Sequence, residues 1–137
     1  MPGVHVPNEG KTVLFKPEKE EGYVYELPDG AAVRIRCNLQ RLSRSQFGTL
    51  MVQAQTAVTL EAPSPRIITS AETFTYPEKI LHQGCYVYTT DQKESVRVRP
   101  SLKMIERTVD ARGTVDYKAT VIWVADLNGD DVMKAMT

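Results

Sequence analysis

The sequence predicts an all-β domain, an antiparallel β-sandwich or barrel of about eight or nine short strands with an N-terminal arm and a short C-terminal helical turn. Three observations predict it. Apolar and polar residues alternate at period two over several stretches, Gly, Pro, Asn and Asp punctuate them at short intervals, and only short pieces fit a helical period.

Residues Met1 to Gly10 contain two prolines and two glycines with little periodicity and read as an arm. Thr12 to Lys16 is the first strand, ending at Pro17 and the charged run Glu18 to Glu21. Gly22 to Leu27 and Ala31 to Asn38 form a hairpin, because Pro28-Asp29-Gly30 supplies a preset φ, a side chain that bonds its own backbone and a residue free to take φ > 0. In its second arm Val33, Ile35 and Cys37 alternate with Arg34, Arg36 and Asn38, one dry face against one wet face. Leu39, Leu42 and Phe47 suit one side of a helical turn, with Ser43 to Ser45 exposed.

Gly48 to Leu60 resumes the alternation, with Val52, Ala54, Val58 and Leu60 opposite Gln53, Gln55 and Thr59. Pro63 and Pro65 remove ladder donors and break the run. Ile67 to Tyr76 and Gly84 to Thr90 follow as strands, with Pro77 to His82 as a turn or one helical turn between them. Ser95 to Arg99, Leu102 to Val109 and Thr114 to Ala125 complete the set, with turns at Asp91 to Glu94 and Asp110 to Gly113. Both faces of the last strand's second half are apolar, which predicts a central strand with Trp123 in the core. Asp130 caps a terminal helical turn through Ala135. The chain reads as an arm (1–10) and a single β domain (11–137), with no internal repeat of fixed period.

With 137 residues, 42% apolar and 25% charged, the chain has the make-up of a globular domain rather than a disordered one. Seventeen basic and seventeen acidic side chains cancel, so any attraction to nucleic acid or anionic lipid must come from a local patch. No stretch approaches the roughly 20 apolar residues of a membrane span, and the polar start has no secretory h-region; the expectation is a cytoplasmic or virion protein with no membrane partner. Cys37 and Cys85 read as free thiols.

The search for chemistry finds little. His5 and His82 have no companions at metal-ligand spacing, no serine sits in a nucleophile elbow, and no glycine run cradles a phosphate. Asp126, Asn128 and Asp130 open like a calcium loop, but Asp131 and Thr137 stand where that loop needs a glycine and a bidentate carboxylate. The expectation is therefore no catalytic residue, no metal and no cofactor.

Charge is the one uneven feature. Arg34, Arg36, Arg41 and Arg44 fall in a stretch without acidic residues, and Arg97 and Arg99 repeat the pattern against Val96 and Val98. Beside Gln53 and Gln55, such a face suits a nucleic-acid backbone. The competing expectation is that these arginines pair across strands with the acidic run Glu18 to Asp29. The functional expectation is a non-enzymatic structural or assembly subunit, of the virion or phage coat, decoration or connector kind, associating with itself or with other subunits. The alternative is a nucleic-acid-binding β module.

Overall fold

The computed structural model describes residues 11–75 and 79–127; the arm (1–10), the terminal helical turn (130–135) and the rest of the calcium-like spacing lie outside the described residues. Among the described residues ten strands form two antiparallel sheets. They are β1 (Lys11–Val13), β2 (Phe15–Glu21), β3 (Tyr23–Glu26), β4 (Ala32–Arg44), β5 (Leu50–Ala62), β6 (Glu72–Thr75), β7 (Lys79–His82), β8 (Cys85–Thr90), β9 (Ser95–Val109) and β10 (Val115–Leu127). The all-β expectation holds, and the packing is that of a β-sandwich.

In the first sheet β5 follows the whole length of β4, so β4's other edge takes both β3, against Ala32 to Ile35, and β1, against Leu42 to Arg44. The second sheet repeats this plan. There β10 follows β9, while β8 and β6 share β9's other edge. The outermost strands come from the opposite half of the chain: β7 pairs with β3, and β2 pairs with β8.

The two halves of the chain are therefore copies, and the expectation of no internal repeat is overturned. Tyr23, Val24, Tyr25, Val33, Arg34, Arg36, Leu39 and Arg44 recur at constant spacing as Tyr86, Val87, Tyr88, Val96, Arg97, Arg99, Leu102 and Arg107. The ladders slip where Gln40 and Lys103, the matching residues of the two long strands, bulge out. The edge strands slip in parallel at Glu18 and Leu81. Both β3–β4 and β8–β9 turns close by the same two bonds, Leu27 N–H to Ala31 O with Gly30 N–H to Leu27 O, and Thr90 N–H to Glu94 O with Lys93 N–H to Thr90 O. Lys93 accepts the left-handed φ of 63° that Gly30 takes at 88°. Matching residues also meet each other: the Tyr23 and Tyr86 rings stack at 6.4 Å, and Trp123 Nε1 donates to Thr56 Oγ1 at 2.8 Å. Such reciprocal contacts are those of an isologous dimer within one chain.

Several element boundaries differ from the sequence reading, each for a local reason. No helical turn forms over Leu39 to Phe47, because the bulge at Gln40 restores the inward phase and carries β4 through Leu42 to Arg44, with Ser43 buried. Glu18 to Glu21 is edge strand rather than turn, its charges facing water. Of residues 67–75 only Glu72–Thr75 is strand, Tyr76 lying outside the described residues, and Lys79–His82 is strand rather than turn. Pro100 interrupts nothing: it sits in β9 between the end of β8 and the start of β6, where no neighbour needs its N–H. Its counterpart Cys37 lies in the same gap of the first sheet, and there the Cys37 N–H donates to Tyr86 Oη at 3.0 Å.

The core lies between the sheets, where Val33, Ile35, Leu42, Tyr88, Val96, Val98 and Ile105 are fully buried. Trp123 is buried as expected, but among the described residues the β10 backbone pairs only with β9 and Ile122 on its outer face is 54% exposed, so β10 is an edge of the described sheet rather than a central strand. Its inner face packs against β5 instead.

Where the exchanged strands cross back to their own sheets, the chains nearly touch. A Cβ on Gly84 would lie 2.4 Å from Glu21 O and 2.5 Å from Tyr23 Cδ1, whereas one on Gly22 would meet its nearest atoms at 3.1 Å. Gly84→Ala should therefore cost about 2 to 3 kcal/mol and Gly22→Ala about 1 kcal/mol or less in urea unfolding. Equal costs would show that the crossing is not the tight point.

Candidate functional site

The alternation that builds β4 and β9 sends their arginines to two different places. Outward-facing Arg36 and Arg41 lie on the first sheet beside Asn38, Gln53 and Gln55, while Arg97 and Arg99 lie on the second. The six arginines singled out in the sequence therefore do not converge on one face. Nor do they pair with the run Glu18 to Asp29. Arg34 bonds Glu61 on β5, Arg99 Nε lies 2.5 Å from Asp126 Oδ2 on β10, and Arg44 bonds Glu94 in the β8–β9 turn. Arg36, Arg41 and Arg97 have no ion-pair partner among the described residues.

Beyond the bulges the phase of each long strand changes, and Arg44 and its counterpart Arg107 point inward at opposite ends of the sandwich. Each reaches the turn of the other half. Arg107, 4% exposed, lies 2.9 Å from Asp29 Oδ2 and donates to Ser70 O from Nε at 3.2 Å and Nη2 at 3.0 Å. Tyr117 Oη adds a bond to Asp29 at 2.8 Å, and Glu72 meets Arg107 Nη2 at 3.1 Å. Segment 63–71 closes this end, with Ser64 Oγ donating to Asp29 O. The Arg44–Glu94 end is more open, at 29% and 24% exposure. Sequence reasoning missed Arg107 because a lone arginine between Glu106 and Thr108 carries no pattern; only the repeat reveals it as the match of Arg44.

Burial raises the Asp29 carboxyl, but the Ala31 N–H, Arg107 and Tyr117 outweigh it and hold the group below the ordinary carboxylate value. Burial, then the Asp29 bond, pushes the Tyr117 hydroxyl up to about 12, so it remains a proton donor at neutral pH. This is a structural knot with no labile group: a depressed acid, a guanidinium and a phenol, all mutually satisfied.

Cys37 and Cys85 are free, and burial with the Glu20 charge pushes the Cys37 thiol up to about 12, far from a nucleophile. His82, on β7 rather than in a turn, bonds Glu21 Oε1 at 2.6 Å. Among the described residues no group of His, Cys, Asp and Glu could hold a metal ion, and no helix is long and apolar enough to cross a membrane.

The two exchanged edge strands differ sharply in character. Register matches Lys16, Pro17, Glu18 and Lys19 of β2 to Lys79, Ile80, Leu81 and His82 of β7. Proline and charge blunt the first edge. The second instead exposes Ile80 at 47% and Leu81 at 49%, and β3 is its hydrogen-bonding neighbour on one side alone among the described residues.

Asp29→Asn should cost about 3 kcal/mol, since it leaves a buried guanidinium short of its partner, and Arg107→Met in the same chain should recover much of that loss. A carboxyl depressed in the folded state contributes stability above its unfolded pKa and loses it as pH falls through the folded one. Wild-type stability should therefore drop as the pH falls below about 4, and the double variant should lose less over that range in pH-dependent urea melts. No family model, curated protein or solved structure matches this chain, so each of its sites is best compared with its own duplicate.

Proposed function

We propose that the chain is a non-enzymatic assembly subunit that associates with a second copy through the open edge of β7. The observation that carries this reading is the contrast between matching edges, one blunted by Pro17 and Glu18 and the other left with exposed Ile80 and Leu81. Strand addition supplies main-chain bonds to such an edge, and its apolar side chains dehydrate the contact. Lys79, which flanks the patch, is neutralised within the chain by Glu26 at 3.1 Å, and the His82 ring is hydrogen-bonded to Glu21. A two-fold β7–β7 contact thus brings Ile80 against Leu81 without facing charges. A coat, decoration or connector subunit of a virion or phage is the finer form of this proposal, resting on architecture and on the size of the chain.

A second reading, nucleic-acid binding, draws support from one face: Arg36 and Arg41 stand unpaired beside Asn38, Gln53 and Gln55 on the outer side of the first sheet. It is the weaker because Arg97 and Arg99 face the other way.

Light scattering on eluted protein should give a dimer or larger species, and Ile80→Lys should return it to monomer while shifting the melting temperature by no more than a few degrees. A wild-type monomer at every concentration would sink the β7 contact. Should an oligonucleotide bind instead, replacing Arg36 and Arg41 by alanine ought to reduce the salt slope by up to about 2, as loss of two phosphate contacts requires.

A further inference from the structure

Segment 63–71 joins the two halves of the chain, and this strap is tied at both ends but not in its middle. At one end Ser64 Oγ donates to the Asp29 carbonyl; at the other the Ser70 carbonyl accepts from Arg107 Nε at 3.2 Å and Nη2 at 3.0 Å. Between these ties the Arg66 N–H donates to Ser64 Oγ at 3.2 Å, and among the described residues no main-chain group of residues 65–69 bonds a strand. A cavity of about 360 Å³ holds the strap off Pro28, Phe74 and Arg107. Ile67 at its centre is 93% exposed. The Arg66 side chain beside it is also exposed and has no hydrogen bond or ion pair among the described residues.

Of the lysines and arginines among the described residues, all but Arg66, Lys93 and Arg112 stand in strands. Lys93 and Arg112 lie in hairpin turns that main-chain bonds close, Thr90 N–H to Glu94 O with Lys93 N–H to Thr90 O, and Asp110 N–H to Thr114 O with Gly113 N–H to Asp110 O. Left-handed φ values of 63° at Lys93 and 84° at Gly113 curl these turns, whereas no residue of 63–71 has a positive φ. A protease takes its substrate as an extended strand laid along its own sheet edge, with residues engaged on either side of the bond it cuts. The strap meets that condition without the loss of one strand pair; either turn would first have to come apart.

We propose that the Arg66–Ile67 bond is a processing site for a serine protease whose specificity pocket carries a carboxylate, and that the cut product remains one folded particle of two chains. The pocket carboxylate receives the free Arg66 guanidinium. The serine hydroxyl adds to the Arg66 carbonyl carbon, the Ile67 nitrogen leaves with the proton as a free amine, and water then releases Arg66 as a carboxylate. The cut falls between β5 and β6, so one product carries β1 to β5 and the other β6 to β10. They stay bound, because the β2–β8 and β3–β7 pairings and the Arg107–Asp29 and Arg44–Glu94 bridges all join one product to the other. The site lies apart from the β7 edge, and the contact proposed there stands or falls without it.

Limited trypsin digestion of the folded full chain, read by mass spectrometry, tests the site. The first cut within residues 11–127 should fall between Arg66 and Ile67, and Arg66→Gln should slow it roughly a hundredfold or more without moving the melting temperature. The two products should leave a sizing column together, at the position of the uncut chain. Measured in the Ile80→Lys chain to set the β7 contact aside, the urea midpoint should rise with protein concentration after the cut and stay fixed before it, because cutting removes the tether between the halves. A first cut at Lys93, at Arg112 or within a strand would overturn the proposal, as would a folded chain that resists trypsin under conditions that cut the unfolded one. Products that part on the column would overturn the two-chain form.

Discussion

Everything in this fold depends on the point where the two halves exchange strands. β2 leaves the first sheet to pair with β8, β7 makes the reciprocal crossing to β3, and both chains pass at Gly22 and Gly84 with room for no side chain on the second. This crossing binds the two sheets by main-chain hydrogen bonds as well as by core packing. The reciprocal Arg44–Glu94 and Arg107–Asp29 bridges then secure the two ends, each arginine reaching from one half to the turn of the other. Neither half has a complete sheet of its own.

The duplicate ends also separate what a buried ion pair does from what an open one does. Arg107 is surrounded by Asp29, Tyr117, Glu72 and the Ser70 carbonyl, so its charge is paired and its donors are used, which is the condition under which a buried pair is tolerated. Arg44 faces Leu50 where Arg107 faces Tyr117, and its Nε has no partner among the described residues. One arrangement thus gives a buried bridge at one end and a partly exposed bridge at the other.

Much of the architecture was legible in the sequence because its causes are local. Alternation marked β4 and most of β10, and Pro28-Asp29-Gly30 marked a turn whose Asp29 accepts from the Ala31 N–H at 2.8 Å. The failures have distant causes. The sequence reading stops a strand at Arg99 and starts another at Leu102, because nothing at these residues shows that β9 runs on through the gap between β8 and β6. The repeat stayed hidden because different residues fill the same roles: Lys93 stands for Gly30, and Asp110 does with Oδ1 what Ser45 does with Oγ, accepting two backbone N–H groups. The spacing between matching positions also widens in the last strand, since the β9–β10 hairpin is longer than β4–β5. The arginine face failed for a related reason, as a periodic pattern shows that residues share a strand face but not that two such faces point apart.

The strand exchange also bears on how the chain is made. On a ribosome the first half emerges with β3 and the long β4–β5 hairpin ready to pair, yet β2 has no sheet to join until β8 is synthesised, and β3 keeps an unpaired edge until β7 follows. Local hairpins close in microseconds, whereas pairings across half the chain wait on translation at about 5 to 20 residues per second. For several seconds the nascent chain therefore carries an open edge at β3 and a charged strand without a neighbour. In that interval the charges and proline of β2 keep the waiting strand soluble, and two nascent chains on one message have the opportunity to exchange these strands with each other instead of within themselves.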